Sequence, residues 1–384
     1  MKILVINPNR SDFIYDSVAY KLLGRKNLKK YKYLQDFVLK NDSYFYFNKS
    51  SFHNILKSIK LNFIDYILLK IEVLLFYKIN PNLNIPIISK RDLDSFDVVF
   101  CFGFAIRDIP YHDLEFISKQ SKLFIIHLSH YHIFADKINS WSLLENVKFC
   151  SDTDITENIF FNYFTDKKIN HFVLSYIIDK KFCMINKWED RNFKIISTGT
   201  FHQFEKFMSI KEIKESLISG IFNSLSLHPE RRLIYAYSKK LKFLDCFNSP
   251  MGGIKFIGNK KNVSQKDYFK IDIVSLYNNY KFAFIGEESI IGVPGIGIYE
   301  AVLCGCIPII NNKYYLGTPL YNNNLTVRYD NVDELLSIIK NFDKIKLPEF
   351  SNSEFINLIN EVQFFFSEEN QLNNLNREIA LTLN

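Results

Sequence analysis

The chain has 384 residues, of which 47% are hydrophobic and 23% are charged. This balance is typical of a folded globular protein and excludes a disordered or collagen-like chain. The length exceeds what one hydrophobic core usually supports, so we expect two domains. A net charge of +7 is too small to indicate a nucleic-acid partner. The six cysteines lack the spacing of a disulfide framework or a zinc ribbon, which favours a cytoplasmic location.

The first half of the chain alternates short apolar segments with longer amphipathic ones. The apolar segments are predicted strands: Lys2–Asn7, Phe96–Phe102, Leu123–Leu128, Val147–Cys150 and His171–Leu174. The first of them carries no cleavage-like site, so no signal peptide is expected. This alternation indicates βα units that form an open parallel sheet. Ligands bind such sheets beyond the carboxyl ends of the strands, so the residues that follow each strand are candidates for a site.

Two segments of this half are relevant to whether the protein spans or contacts a membrane. Leu61–Ile79 is strongly apolar, but Asp65, Lys70 and Glu72 interrupt it, so we predict a core helix rather than a membrane span. A basic cluster precedes it and either lies on an anionic membrane surface or forms a solvated helix face. Its members are Lys21, Arg25, Lys26, Lys29, Lys30 and Lys32.

The second half begins after a polar segment without periodicity, Asn186–Asn192, which is predicted to be a linker. The strands of a second sheet are predicted at Phe193–Ser197, Gly253–Ile257, Ala283–Ile285, Pro308–Ile310 and Leu325–Tyr329. An amphipathic helix is expected over Val332–Asn341, because an Asp-Asn pair precedes it. The terminal segment Ser353–Leu383 also has a helical pattern.

The segment Lys281–Asn311 predicts a strand, an acidic turn, a glycine-rich loop, a helix over Ile298–Leu303 and a second strand. Gly292, Gly295 and Gly297 precede the helix, whose N-terminus offers unpaired N–H groups and a positive dipole end that suit a phosphate. Glu300 lies one turn inside the helix, where its carboxylate could accept hydrogen bonds from ribose hydroxyls. A nucleotide sugar needs this combination. The alternative is a tight βαβ turn, as found in any α/β protein.

This segment resembles the donor-binding element of GT-B glycosyltransferases. Ala301, Gly305 and Pro308 match the family's A-x-x-x-G-x-P pattern, and Glu300 takes the place of its ribose-binding Glu. The run YKFAFIGEES is similar to one in bacterial and animal fucosyltransferases, and GCIPII resembles exostosin-like enzymes. The retaining, family-four-like pattern contains two glutamates. Glu288 and Glu300 are separated by more residues than the two glutamates of that pattern.

The resemblance implies an α/β fold of the GT-B type, with two Rossmann-like domains, parallel sheets and a cleft between them. Residues 1–185 would form the acceptor-side domain, and residues 186–192 would form the linker. Residues 193–352 would form the nucleotide-sugar-binding domain. Residues 353–384 would form a helical segment that crosses back to the first domain, as such tails often do in this family.

The resemblance also implies a donor site built from three parts of the second domain. They are the turn after its first strand, a pair of arginines that could clamp a phosphate, and the acidic turn with the glycine loop and helix. His228-Pro229 before the arginines resembles a motif that faces a cytidine nucleotide, or it simply starts a helix. The donor-binding candidates are Thr198, Gly199, Thr200, His202, Lys206, Arg231, Arg232, Glu287, Gly292, Gly295, Gly297, Ile298 and Glu300.

The catalytic candidates are His130, His132, Asp136 and Glu288. An inverting transferase needs a general base within hydrogen-bond reach of the acceptor hydroxyl, and His130, His132 or Asp136 follows a first-domain strand. The alternative is that these histidines belong to the core. With His127 they form H-x-x-H-x-H, but no fourth ligand has suitable spacing, so no metal site is expected. We expect no cofactor and metal-independent activity.

The implied function is transfer of a sugar from a nucleotide-sugar donor to a glycan or lipid-linked acceptor. A bacterial surface polysaccharide such as lipopolysaccharide, O-antigen or capsule is the expected product. The enzyme would work in the cytoplasm and could contact the inner membrane leaflet peripherally. Two alternatives remain: a non-catalytic nucleotide- or sugar-binding protein of GT-B fold, and a GT-B epimerase.

Overall fold

The computed structural model describes residues 1–11, 13–22, 30–51, 53, 56, 60–106, 109–128, 135–156, 169–202, 228–251, 271–287, 293–348 and 351–383. The chain divides into two compact units. The first comprises Met1–Asp152, Phe164–Ile177 and Ser367–Asn384, and the second comprises Thr153–Tyr163 and Ile178–Phe366. The chain therefore enters the second unit ahead of the predicted linker at residues 186–192. The C-terminal segment rejoins the first unit at Ser367 rather than at residue 353.

The first unit contains a six-stranded parallel sheet with the strand order β2-β1-β3-β4-β5-β6. Its strands are β1 (Lys2–Ile6), β2 (Asp42–Tyr46), β3 (Phe96–Phe102), β4 (Ser121–His127), β5 (Val147–Ser151) and β6 (His171–Val173). Its helices are α1 (Val18–Leu22), α2 (Lys32–Leu39), α3 (Asn62–Ile79), α4 (Tyr111–Lys119), α5 (Ala135–Trp141) and α11 (Glu368–Leu383). Short 3-10 turns cover Pro8–Arg10, Lys90–Asp92 and Gly103–Ile106.

Five of these six strands match the predicted ones within about two residues. In β3 and β4 nearly every residue is buried, as expected when helices cover both faces of a parallel sheet. The strand β2 was not predicted. It lies at the edge of the sheet, and its sequence DSYFY is short and only partly buried, so it carries no continuous apolar run.

The helix α3 corrects the prediction of a core helix. One of its faces is buried through residues such as Phe76, but the other exposes large apolar side chains to solvent, including Phe63 and Leu74. The acidic residues that interrupt the apolar run, Asp65 and Glu72, lie on the buried side. No helix among the described residues is both long enough and apolar enough to cross a membrane.

The C-terminal helix α11 completes the first unit by packing against β4, β6 and α2. Its buried residues are Gln371, Leu375 and Ile379. The side-chain oxygen of Gln371 accepts a hydrogen bond from the backbone N–H of Ser175 at 2.6 Å. An ion pair between Lys148 and Glu378, 3.0 Å long and largely shielded from solvent, joins the helix to β5.

The second unit contains a five-stranded parallel sheet with the strand order β11-β10-β9-β7-β8. Its strands are β7 (Asn192–His202), β8 (Leu244–Met251), β9 (Tyr280–Phe284), β10 (Ile307–Asn311) and β11 (Val327–Tyr329). Its helices are α6 (Pro229–Tyr237), α7 (Ile273–Asn278), α8 (Ile296–Leu303), α9 (Val332–Lys340) and α10 (Asn352–Phe365), with a 3-10 turn at Ser238–Lys240.

Strands β7, β9, β10 and β11 were predicted, and α9 ends one residue before its predicted end. The helical pattern at the C-terminus is two helices, α10 and α11, separated at Phe366 and Ser367. The strand β8 was not predicted, because its sequence LDCFNSPM carries polar residues and a proline. Proline is tolerated there because β8 is an edge strand. The predicted strand Gly253–Ile257 lies outside the described residues.

Candidate functional site

Three chain segments of the second unit converge around one buried side chain, that of Arg231 on α6. They are the end of β7 at Gly199 and Thr200, the turn after β9 at Gly286, and the N-terminus of α8 at Gly295. A Cβ atom on Gly295 would lie only 2.9 Å from the carbonyl oxygen of Gly286, so the helix start and the turn after β9 are in close contact. This convergence lies at the carboxyl edge of a parallel sheet, where such folds bind their ligands.

The Arg231 guanidinium is hydrogen-bonded to backbone carbonyl groups of these segments. Nη1 donates to the oxygen of Thr200 at 3.0 Å, Nη2 donates to Gly286 at 2.9 Å, and Nε donates to Ile285. The side chain is buried, whereas that of Arg232 is exposed. The prediction that the two arginines clamp a phosphate as a pair is therefore corrected, because only Arg232 is exposed. Since α6 turns Arg231 inward, the guanidinium braces the loops that form the site.

Arg231 also explains which glycines the site requires. Gly199 and Gly286 have positive φ values of 111° and 68°, and a Cβ on either would lie within 2.9 Å of the Arg231 side chain. A Cβ on Gly295 would lie 3.1 Å from Nη2 of Arg231. Two independent constraints, backbone conformation and space, thus exclude larger residues at Gly199 and Gly286.

The predicted glycine loop differs in detail. Gly295 is the N-cap of α8 with an ordinary φ of −71°, and the helix begins at Ile296, two residues earlier than predicted. Gly297 lies inside the helix, where a Cβ would meet Ile285 at 3.2 Å and the Tyr277 hydroxyl at 3.3 Å. The side chain of Ile298 is buried. These residues are therefore constrained by packing against β9 and α7, and left-handed backbone is not the reason for glycine at either position.

The predicted turn after the first strand of this sheet is also corrected. The residues from Ser197 to His202 continue β7, pairing with β8 up to His202 and Met251. Thr198 is buried, and its hydroxyl lies 2.8 Å from that of Tyr277. Its hydroxyl thus ties β7 to α7 and faces the interior rather than a ligand. Thr200 is half-buried and offers its carbonyl to Arg231.

A buried acidic network stands beside this convergence. Glu287 lies three residues beyond the end of β9 and is 1% exposed. Its Oε1 accepts hydrogen bonds from the Tyr315 hydroxyl at 2.9 Å and the backbone N–H of Asn311 at 3.0 Å, and its Oε2 accepts from the Tyr329 hydroxyl at 2.6 Å. Three hydrogen bonds therefore hold this carboxylate inside the second unit, and its predicted contact with a donor stays a prediction. Glu287 fixes the turn after β9 to β10 and β11.

Glu230 on α6 shares this network with Glu287. It is buried, and its Oε2 lies 2.7 Å from the same Tyr329 hydroxyl. Burial, and then the neighbouring charge of Glu287, raise the pKa of Glu230 well above its usual value. A tyrosine hydroxyl has one proton to donate and cannot satisfy two carboxylates. A protonated Glu230 resolves this, since its own proton supplies the missing donor.

Glu300 lies one turn inside α8 and is partly exposed. The other end of this helix is held by Arg191, whose Nη1 donates to the carbonyl of Cys304 at 2.7 Å, and whose guanidinium fills the space beside Gly305. Gly305 has a φ of 93°, the left-handed conformation that commonly ends a helix. Both ends of α8 are thus fixed by buried arginines, and this sets the position of Glu300.

Several predicted site residues lie outside the described residues: His130, His132, Lys206, Glu288 and Gly292. The backbones of Asp136 in α5 and His202 in β7 are described, but their side chains are not. His127, the first histidine of the cluster, is a core residue that stacks on Phe102 with ring centroids 4.2 Å apart. Among the described residues, no three His, Cys, Asp or Glu side chains are grouped as a metal site.

The sequence did not reveal Glu230, Tyr315 or Tyr329 as parts of the site. They come from α6, from the loop after β10 and from the end of β11. No local motif joins residues that are so far apart in sequence. Only for Tyr329 did the sequence offer an indication, because this residue ends a predicted strand of a parallel sheet and ligands bind at that end of the strands.

No family model matches the chain, and no curated protein sequence matches it. The solved structures that match the chain include the following three. Sucrose-phosphate synthase from Thermosynechococcus elongatus has 10% identity and a TM-score of 0.52, covering 99% of both chains. A glycosyltransferase from Rickettsia africae has 13% identity and a TM-score of 0.39, covering 100% of this chain and 96% of that one. HepE from Anabaena, solved with UDP and glucose, has 11% identity and a TM-score of 0.43, covering 100% and 98%. The likeness to the synthase shows the fold: this chain has the GT-B fold, and each of its two units contains a parallel Rossmann-like sheet.

Proposed function

We propose that the protein is a glycosyltransferase that moves a sugar from a nucleotide-sugar donor to a glycan or lipid-linked acceptor. The observation that carries the proposal is the convergence of β7, the turn after β9 and the start of α8 around Arg231. The convergence lies at the edge of the sheet that binds ligands in open α/β folds, and a helix N-terminus belongs to it. The GT-B fold shared with sucrose-phosphate synthase supports the same reading.

In this proposal the donor diphosphate lies at the N-terminus of α8. The first turn of a helix has N–H groups without intrahelical acceptors, and its dipole favours negative charge. The ribose lies toward Glu300, whose carboxylate accepts hydrogen bonds from its hydroxyls. Arg231 keeps its hydrogen bonds to the loops and adds a fixed positive charge beneath the phosphates. Transfer then depends on charge stabilisation of the departing diphosphate and on orientation of the two substrates.

The remaining roles extend the same proposal. His130, His132 or Asp136 accepts the proton of the acceptor hydroxyl if the reaction inverts the anomeric centre. Lys206, His202, Arg232, Glu288 and Gly292 are proposed to contact the donor or to shape its site. A bacterial surface polysaccharide is the proposed product, and the cytoplasmic side of the membrane is the proposed location.

The function is tested first by ligand binding. Thermal unfolding is followed in the presence of UDP, GDP, CMP and TDP. A nucleotide that binds the folded protein raises the unfolding temperature, and the increase grows with the logarithm of its concentration over its dissociation constant. The preferred nucleotide sugar is then assayed for hydrolysis and for transfer to a panel of acceptors. Absence of any nucleotide effect contradicts the proposal. Binding without hydrolysis or transfer selects the non-catalytic alternative, and interconversion of the donor sugar selects an epimerase.

Glu300→Ala is expected to weaken nucleotide binding about ten- to a hundredfold, because a hydrogen bond to a charged group contributes roughly 1.5–3 kcal/mol. The affinity is measured by titration calorimetry with the nucleotide found in the screen. Glu361→Ala is the matched control, since Glu361 is an exposed helical glutamate on α10. A folded Glu300→Ala variant with wild-type affinity would contradict the ribose role.

Chelation is expected to leave the transferase activity unchanged. The proposed site neutralises the phosphates with backbone N–H groups and arginine, so a divalent cation is not required for charge balance. Activity is measured before and after EDTA treatment and dialysis. Complete loss, restored by Mn²⁺ or Zn²⁺, would show that a metal takes part and would direct attention to the histidines at 130 and 132.

A further inference from the structure

The helix α3 carries an unusual outward face, called here the α3 face and consisting of Phe63, Tyr66, Ile67, Ile71 and Leu74. These residues lie at positions 63, 66, 67, 71 and 74, which fall on one side of an α-helix and form one stripe along it. All five are exposed, and Phe63 and Leu74 are exposed to 73% and 74%. Leucine and phenylalanine side chains of a folded protein are rarely exposed to this extent in a contiguous row, and such a patch marks an interaction site.

The acidic and basic residues of α3 lie on opposite sides of the helix. The acidic residues are turned inward: Glu72 accepts a hydrogen bond from the backbone N–H of Ser51 at 2.8 Å, and Asp65 pairs with His53 at 2.9 Å. The lysines are turned outward. Lys70 lies in the α3 face with its ammonium group 4.6 Å from the centre of the Tyr66 ring. Lys78 is exposed in the last turn of the same helix.

The surroundings of the α3 face continue this pattern. Lys60 is exposed just before the helix begins. The short helix α1 packs against α3 and exposes Lys21 and Leu22, the latter to 68%. The face is therefore mainly apolar, with Lys70 inside it and Lys60 and Lys78 at its two ends. An apolar stripe flanked by lysines is the composition of helices that lie in the interface of an anionic bilayer.

We propose that the α3 face docks the protein on the surface of an anionic lipid bilayer, with the apolar side chains inserted among the lipids and the lysines at the headgroups. The inference concerns the first unit alone and does not depend on the transferase reaction proposed above. Phe63 and Leu74 insert deepest because they are the most exposed. Long lysine side chains reach the phosphates while their methylene groups remain in the apolar region.

The same observations argue against a second copy of the chain as the occupant. In a symmetric dimer the α3 face would meet itself, and Lys70, which lies at the middle of the helix, would come close to Lys70 of the other copy. The acidic residues of the helix could not compensate, because Asp65 and Glu72 are buried on the opposite side. An anionic lipid surface instead provides the opposite charge over the whole area.

The test is co-sedimentation of the full chain with vesicles of two compositions, phosphatidylcholine alone and equal parts of phosphatidylcholine and phosphatidylglycerol. We expect strong binding only to the anionic vesicles. Leu74→Ser is expected to weaken this binding about tenfold, because one large apolar side chain no longer leaves water. Leu381→Ser is the matched control, since Leu381 is a helical leucine of the same unit that is 70% exposed. It is expected to bind as the wild type does.

Charge is tested with Lys70→Glu and Lys78→Glu, each expected to weaken binding to anionic vesicles by at least fivefold. Lys340→Glu, at the exposed last turn of α9, is the control. Salt should weaken wild-type binding as well. Sedimentation velocity without lipid and thermal shift with nucleotide accompany each variant, so that loss of folding or of the donor site is recognised separately.

Two outcomes would overturn the proposal. One is wild-type protein that fails to bind anionic vesicles, or that binds them equally after Leu74→Ser and after the control change. The other is a lipid-free dimer that Leu74→Ser converts to monomer while vesicle binding is unaffected, which would make the α3 face an interface between copies.

Discussion

Arg231→Ala is expected to lower the free energy of unfolding by about 3–4 kcal/mol and to abolish nucleotide binding. The substitution removes the donors for the carbonyls of Thr200, Ile285 and Gly286, and an unsatisfied buried acceptor costs roughly 1–3 kcal/mol. Water entering the space left by the side chain recovers part of this loss. Because the loops at Gly199, Gly286 and Gly295 all rest on this side chain, they lose their common support.

The neighbouring arginine provides the control. Arg232→Ala changes an exposed residue of the same helix and is expected to shift the free energy of unfolding by less than about 0.5 kcal/mol. Arg231→Lys is expected to lie between the two, since one ammonium group cannot match the planar fork of a guanidinium. Denaturant titration gives the stability, and calorimetry gives the nucleotide affinity. Equal stability of Arg231→Ala and Arg232→Ala would show that the bracing role is wrong.

Glu287→Ala is the second change with a large expected effect, a loss of about 2–5 kcal/mol in the free energy of unfolding. It leaves two buried donors without an acceptor, the Tyr315 hydroxyl and the backbone N–H of Asn311, and it leaves the Tyr329 hydroxyl with Glu230 alone. Glu287→Gln keeps one carbonyl oxygen and is expected to lose less. Denaturant titration at neutral pH measures both. A loss below about 1 kcal/mol for Glu287→Ala would contradict the network.

Glu230 adds a pH dependence with a definite sign. Its pKa in the folded protein is raised above the ordinary 4.5, so the folded state binds a proton that the unfolded state releases. The corresponding stability is complete below about pH 4.5 and is lost as the pH rises toward the folded pKa, by at most about 1.4 kcal/mol per pH unit. Glu230→Gln keeps a donor and removes the titration. Unfolding free energies measured from about pH 5 upward should therefore fall more in the wild type than in Glu230→Gln. Parallel curves would mean that Glu230 is ionised in the folded protein.

Most strands and helices of the fold could be predicted from the sequence, because the apolar runs and helix caps that mark them are local features. The strand β3 coincides with the predicted Phe96–Phe102, because a central strand of a parallel sheet is buried on both faces and therefore has a continuous apolar sequence. The helix α9 begins where predicted, because the Asn331 side chain accepts a hydrogen bond from the N–H of Glu334. Edge strands such as β2 and β8 lack this signal, because only part of their surface is buried.

The site was harder to predict because side-chain direction depends on packing between distant elements. Arg231 and Arg232 are adjacent in sequence, yet only the first faces the sheet. Glu287 reads as an exposed acidic turn, and only the arrival of Tyr315 and Tyr329 from later elements makes its burial possible. Glu300 could be placed one turn inside its helix because the glycines and the following strand mark the helix boundaries. Its role in binding stays a prediction.

The position of α11 in the first unit affects the order in which the two units can fold during synthesis. All six strands of the first unit have been translated once β6 has been made, but Gln371, Leu375 and Ile379, which belong to its packed interior, are translated much later. The second unit, which extends to Phe366, is made in full before them. Domains usually fold from the N-terminus as the chain emerges. Here the packing of β4 and β6 against α11 cannot form until the second unit has been made, so the unit whose synthesis begins first completes its packing after the second unit has been synthesised.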